Sequence, residues 1–253
     1  MSVLEGRRVA ITRAEGQAGE LGMMLKALGA TPLACPTIRV IELESYAELD
    51  AALVHLDSYG WVVFTSVNGV TAVLKRLGAI GLAPFSMQGV SVAAVGPQTA
   101  VSLYAAGIQV AHVPPVHRAE SLAESLSPIV GEKVLLARAD LATPVLSDRL
   151  LARGAAQVDD VTAYRTVPLA PEPAALRELE CGVDAIVFTS PSTVRGFLMV
   201  GPEWRSLIDG AIVASVGPVT TLAAREAGLE VHVEGGERTM ESLVDGLVRS
   251  FLS

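Results

Sequence analysis

One phrase occurs twice in this chain. VVFTSVNGV, residues 62–70, returns as IVFTSPSTV, residues 186–194: a β-branched apolar run that breaks into hydroxyl residues and a turn. Further echoes keep the same order. RRVAITRAE (7–15) resembles EKVLLARAD (132–140), and LGA (28–30) resembles RGA (153–155), both at an offset of 125. VAAVGPQT (92–99) matches VASVGPVT (213–220), AAGIQV (105–110) matches EAGLEV (226–231), and ESL recurs at 120–122 and 241–243, all at an offset of 121. A drift of a few residues is what changes in loop length produce. Such a chain folds as two similar halves.

Each copy alternates short β-branched runs with Ala- and Leu-rich helical segments, the mark of βα units on a parallel sheet. Strands are expected at 8–12, 37–42, 61–65, 90–95 and 109–113, and again at 133–137, 161–167, 184–188, 211–216 and 230–233. Gly29, Gly107, Gly154 and Gly228 fall where helices should end, as C′ residues with positive φ. The expected fold class is α/β: two similar lobes, each a small doubly wound parallel sheet flanked by helices. Function in such sheets gathers at the carboxyl ends of the strands, and two facing lobes suggest a cleft between those ends.

Composition supports this architecture. Apolar residues make up 51% of the 253, aromatic residues only 4%, so small aliphatic side chains fill the interior. That suits helices packed closely on a parallel sheet. A net charge of −8 with no basic run argues against nucleic-acid binding. Gly and Pro cut the uncharged stretch Leu77–His117 into pieces too short to span a bilayer, so a soluble protein is expected. The N-terminus lacks the apolar core of a signal peptide, and Cys35 and Cys181 read as small buried residues of a reduced, cytoplasmic protein. No sustained heptad argues for more than a monomer.

The copies agree best at their strand ends. Thr65-Ser66 and Thr189-Ser190 close one strand in each; Gly96-Pro97-Gln98-Thr99 and Gly217-Pro218-Val219-Thr220 close another. Gly permits a sharp turn, Pro suits a first helical position, and the free N–H groups behind them suit a carboxylate or phosphate. The same residues also serve ordinary N-caps and turns, and both readings stand. Arg13 and Arg138 each follow a first strand and suit an anion. Tyr164, one of four tyrosines, lies in VTAYRTV (161–167), in a segment expected to bridge the lobes. It reads either as a buried linker ring or as a phenol reaching into the cleft to donate a proton. Gly16, Gly19 and Gly22 miss the dinucleotide fingerprint, and no Walker loop or Gly-x-Ser-x-Gly elbow occurs. His55, His112, His117 and His232 show no metal-binding spacing and read as surface or strand-end residues.

Taken in order, FTSVNGV, AVGPQTA, VLLARAD, AYRT, FTSPSTV, SVGPVT and the closing ESL resemble the uroporphyrinogen-III synthase family over essentially the whole chain. The resemblance implies a swap between the halves: one lobe from 1–35 with 167–253, the other from 41–161, joined by two extended linkers at 36–40 and 162–166. It implies a carbon–oxygen lyase without metal or organic cofactor. Its substrate would be hydroxymethylbilane, a linear tetrapyrrole with eight carboxylates, closed to uroporphyrinogen III with loss of water and inversion of the last ring. It makes Tyr164 the acid. Thr65, Ser66, Thr99, Ser190, Thr220, Arg13, Arg138 and the corners Gly96 and Gly217 would hold substrate carboxylates. Family members often carry Arg-Gly where this chain has Arg138-Ala139. Nucleic acid and membrane are not expected partners; a transient contact with the enzyme that makes hydroxymethylbilane is. The alternative is a non-catalytic anion-binding or regulatory protein of the same architecture.

Overall fold

Residues 2–13, 19–169, 172–199, 201–236 and 239–252 are described by the computed structural model of the chain. They carry strands β1 (Arg8–Ile11), β2 (Thr31–Ala34), β3 (Ile38–Ile41), β4 (Trp61–Phe64), β5 (Ser91–Ala94), β6 (Lys133–Ala139), β7 (Gln157–Pro168), β8 (Ala185–Phe188), β9 (Ile212–Ser215) and β10 (Val233–Glu234). The helices are α1 (Gly19–Ala27), α2 (Ala47–Val54), α3 (Val67–Ala79), α4 (Pro97–Ala105), α5 (Ala119–Ser125), α6 (Val145–Ala152), α7 (Pro173–Glu180), α8 (Pro191–Leu198), α9 (Trp204–Leu207), α10 (Pro218–Glu226) and α11 (Met240–Leu252).

The strands form two sheets, ordered β10-β9-β8-β1-β2 and β3-β7-β6-β4-β5. β1 runs parallel to both β2 and β8, and β6 runs parallel to both β4 and β7. Each sheet therefore draws strands from both copies of the repeat. By contacts the chain divides into two compact units, Met1–Arg39 with Val167–Ser253, and Val40–Thr166. In the first, β2-β1-β8-β9-β10 is a doubly wound 2-1-3-4-5 order whose direction switches between β1 and β8. In the second, β7-β6-β4-β5 repeats that order, with β3 added outside β7 and the switch between β6 and β4.

Alternation along the strands builds an apolar layer on both faces of each sheet. In the first unit Val9, Ile11 and Val187 point to one cluster, Ala10, Ile186 and Phe188 to the other. In the second, Val62 and Phe64 oppose Trp61 and Val63. Gly29, Gly107, Gly154 and Gly228 do end their helices in the left-handed region, with φ from 78° to 94°.

Several expected elements differ. β2 was not anticipated because TPLA contains Pro32, which is tolerated here because β2 is an edge strand. Residues 109–113 reduce to a single bridge between His112 and Ala93, and Pro114-Pro115 follow at once. β7 starts at Gln157, four residues before its apolar run, because Tyr59 and Arg138 take up the charges of Asp159 and Asp160. The strand expected at 230–233 shrinks to Val233–Glu234. Cys35 is buried, and burial pushes its thiol up to about 12, but Cys181 is exposed at the end of α7, so only one cysteine belongs to the core.

At the amino end of the first sheet, Asp184 accepts from Arg8 N–H at 2.8 Å and from Arg7 Nη1 at 2.7 Å, tying β1 to β8. Burial raises its pKa, but these donors outweigh burial and leave it below the usual carboxylate range. A depressed value stabilises the fold above the unfolded pKa, and the benefit is lost as pH falls through the folded one. With both groups part-exposed, Asp184→Asn is expected to lose about 1 kcal/mol at neutral pH and to flatten acid unfolding below about pH 4. Denaturant melts at pH 7 and pH 3 check it; equal losses at both would contradict it.

Candidate functional site

In the second unit the functional groups gather at the carboxyl end of the sheet, beside the β6/β4 switch. β4 runs buried to Phe64 and ends in Thr65-Ser66. Ser66 is the N-cap of α3, its Oγ accepting from Gly69 N–H at 3.1 Å. Val70, Val73 and Leu77 then bury the inner face of α3, holding its N-terminus at this point. Tyr164 Oη, carried by β7, lies 2.9 Å from Ser66 Oγ, and the Asn68 side chain is placed to favour the charged form of the phenol.

Tyr164 is only 7% exposed and packs in the core. Tyr164 sits within β7, in the strand expected at 161–167, as the buried ring of the two readings, with its hydroxyl at the mouth of a helix. Burial raises its pKa; the bonds from Ser66 and Asn68 lower it, nearby Asp140 raises it, and the net shift is upward. The phenol therefore keeps its proton at neutral pH. Asp140 is itself anchored, its N–H donating to the Tyr164 carbonyl at 3.1 Å and its carboxylate accepting from Thr166 N–H at 3.1 Å.

Arg138 is turned inward. It is 5% exposed, its Nε donates to Asp160 Oδ1 at 2.9 Å, its Nη2 pairs with Asp160 Oδ2, and its Nη1 donates to the Thr143 carbonyl at 3.0 Å. Those bonds make it a brace for the loop between β6 and α6. In the first unit Arg13 stands half-buried just past β1; burial lowers its pKa and Glu20 partly offsets this. Ser190 caps α8 in a closed capping box with Thr193.

The two glycine–proline corners are helix N-termini: Gly96 caps α4 and Gly217 caps α10, each followed by Pro at the first helical position. Both glycines are extended, with φ −145° and 167°, so no special conformation demands them. A Cβ at Gly96 would make only an ordinary contact with His117 at 3.8 Å. Thr99 and Thr220 are buried under those first turns, 6% and 3% exposed, and do not stand forward as donors. Thr221, not anticipated, bonds Ser215 at 2.6 Å and locks α10 to the end of β9. Asn68, likewise not anticipated, has no repeat signal to mark it, because its counterpart in the other copy is Ser192. Gly16 lies outside the described residues.

A groove of about 680 Å³ in the second unit lies at the opposite, amino end of the sheet, lined by Glu48, His55, Tyr59, Lys133 and Asp159. There Tyr59 donates to Asp159 at 2.5 Å and Lys133 lies over the Tyr59 ring. Among the described residues no cluster of His, Cys, Asp and Glu suits a metal ion, and no helix is long and apolar enough to cross a membrane.

Fold and site define a two-unit α/β protein that presents hydroxyl-capped helix N-termini at the switch points of both sheets, with a protonated phenol behind one of them. A family model described as uroporphyrinogen-III synthase HemD matches residues 20–245. The chain belongs to the uroporphyrinogen-III synthase family, and its activity is that of a cyclising lyase of tetrapyrrole biosynthesis. A uroporphyrinogen-III synthase from Synechococcus elongatus is 32% identical over 249 residues, covering 95% of this chain and 94% of its own. A crystal structure of a mutant uroporphyrinogen III synthase from Thermus thermophilus shares the fold with a TM-score of 0.65, at 22% identity over 98% of this chain and 99% of that one. The corresponding enzyme of Helicobacter pylori gives 0.61, at 18% identity over 96% and 99%.

Proposed function

We propose that this chain cyclises hydroxymethylbilane to uroporphyrinogen III, with Tyr164 as the source of the proton that removes the hydroxyl as water. The observation that carries this is the Tyr164 phenol, protonated and 2.9 Å from the cap of α3 beside the β6/β4 switch. A proton added to the leaving oxygen lets the C–O bond break. The resulting azafulvenium loses its pyrrole N–H proton, which restores the phenol. Attack by the substituted carbon of the last ring then gives a spiro intermediate that fragments and recloses with the ring inverted.

Unassisted closure gives the type I isomer, so most of the enzyme's work is to fold the substrate. A protein of net charge −8 cannot attract an octa-anion by overall charge. Helix N-termini do so locally, at about 0.3–1 kcal/mol each. In the second unit the starts of α3 and α4 with Thr65, and in the first unit the starts of α8 and α10 with Ser190 and the half-buried Arg13, are the groups that would hold carboxylates. Arg138, Thr99 and Thr220 support that set from within. A cytoplasmic setting, and direct receipt of the substrate from the enzyme that makes it, complete the reading; the two free cysteines fit a reduced compartment.

The test couples this protein to hydroxymethylbilane formation and scores type III against type I product. Tyr164→Phe is expected to lower turnover about 10- to 100-fold, at or below the low end for a positioned acid, with little change in melting temperature. In the parent, activity should fall only as pH rises through the raised phenol pKa, and that limb should vanish in the variant. An unchanged rate removes Tyr164 from the chemistry. Clean type I product would leave an anion-binding protein.

A further inference from the structure

Ser66 and Ser190 hold the same place in the two copies, with nearly the same backbone: φ and ψ are −158° and 157° at one, −163° and 160° at the other. Each hydroxyl accepts the N–H of the third helical residue, Gly69 at 3.1 Å and Thr193 at 3.2 Å. There the likeness ends. At Ser190 the box is closed, since Thr193 Oγ1 receives the Ser190 N–H at 3.3 Å and donates to the Ser190 carbonyl at 2.8 Å. At Ser66 no side chain closes it, because a Cβ on Gly69 would stand 2.9 Å from the Ala137 carbonyl oxygen. The hydroxyl of Tyr164 stands at Ser66 instead.

A hydroxyl has one proton to give and two lone pairs to fill. Gly69 N–H fills one lone pair of Ser66 Oγ. Either hydroxyl can donate in the 2.9 Å contact between Ser66 and Tyr164; in the arrangement where Oη donates, the second lone pair is filled and the serine proton is left for a group other than Tyr164. Ser66 is half-buried where Tyr164 is buried, so the outer end of this chain is the serine. Hydrogen bonds aligned in one direction polarise each other and strengthen the terminal donor.

We propose that Ser66 hands the proton to the substrate and that Tyr164 refills it from behind, making Ser66 and Tyr164 two stations of one relay that the second copy of the repeat lacks. This rests on the reading of Tyr164 as the acid. In the step, the Ser66 O–H bond breaks and its proton joins the leaving hydroxyl, which departs as water with the C–O electron pair. Ser66 Oγ takes the Tyr164 proton, and Oη keeps the O–H pair as a phenolate, stabilised by the Asn68 amide. The proton lost from the azafulvenium nitrogen returns to Oη along the same chain. Asp140, whose carboxylate lies 3.5 Å from Arg165 Nε, is the charged group that favours the protonated phenol.

Ser66→Asn keeps an N-cap acceptor but has no hydroxyl, whereas Ser66→Thr keeps both. In the coupled assay Ser66→Asn is expected to lower kcat about 10- to 100-fold with KM little changed, and Ser66→Thr to restore most of it. Ser66→Asn with Tyr164→Phe should fall no further than either alone, since both cut one chain. A wild-type kcat for Ser66→Asn, a rise in KM in place of the kcat loss, or losses that multiply in the double variant would each overturn the relay. If Tyr164→Phe is slow and Ser66→Asn is fast, only the relay fails; if Tyr164→Phe itself is fast, the acid reading fails with it.

Discussion

Gly196→Ala is expected to destabilise the first unit by about 3 kcal/mol or more and to lower its melting temperature by roughly 10 °C. Gly196 lies in the last turn of α8, and a Cβ there would fall 1.8 Å from the Thr37 carbonyl oxygen and 2.8 Å from its carbon. The obstacle is backbone, so no rotamer can move aside. It is also fixed: the Thr37 carbonyl accepts Leu169 N–H at 3.0 Å, and Thr37 Oγ1 donates to the Thr193 carbonyl of α8 at 2.8 Å. Relief requires α8 to lift from the strand end, which also moves Ser190. In helix α1 of the same unit, a Cβ at Gly22 would find its nearest neighbour at 3.9 Å. Gly22→Ala should stabilise by about 0.5–1 kcal/mol through helix propensity alone. Thermal melts of the two variants should move in opposite directions. A wild-type melt for Gly196→Ala would mean that the helix and Thr37 part readily.

Both the doubling and the strand-end hydroxyls were readable in the residues, because parallel strands buried on both faces leave continuous apolar runs that end abruptly. The residues which close those runs, such as Ser66 and Ser190, are caps in fact. What the residues did not reveal was direction and depth. Tyr164 and Arg138 stood out by type and place, yet burial decides what each can do, and burial depends on which strand lies beside it. β7 seats the phenol against α3 and supplies Asp160 to Arg138, pairings more than twenty residues apart in the chain. Asp159 and Asp160 fall outside the strand expected at 161–167, since no local signal announces Tyr59 or Arg138 as their neighbours. Thr99 and Thr220 show the converse: identical in both copies, they lie under the helices they begin.

Removing the Asp160 carboxylate should then expose what Arg138 is for. Asp160→Ala would leave a 5%-exposed guanidinium with the Thr143 carbonyl as its remaining acceptor among the contacts described above. Unpairing a fully enclosed charge costs about 3–5 kcal/mol, and because the Asp160 side chain is 33% exposed, water softens this to about 2–3 kcal/mol. Replacing both members, Arg138→Met with Asp160→Leu, removes the stranded charge along with its partner and should recover most of the loss. The double variant separates two roles that either single change confounds. A brace needs only a well-packed loop, so a refolded double variant should keep a KM for hydroxymethylbilane close to that of the parent. An arginine that grips a substrate carboxylate cannot be replaced by methionine, and KM would rise although the fold had recovered. Denaturant titration supplies the stability cycle, and the coupled type III assay supplies KM. Recovered stability with unchanged KM is the expected outcome, since the fork of Arg138 is already closed on Asp160.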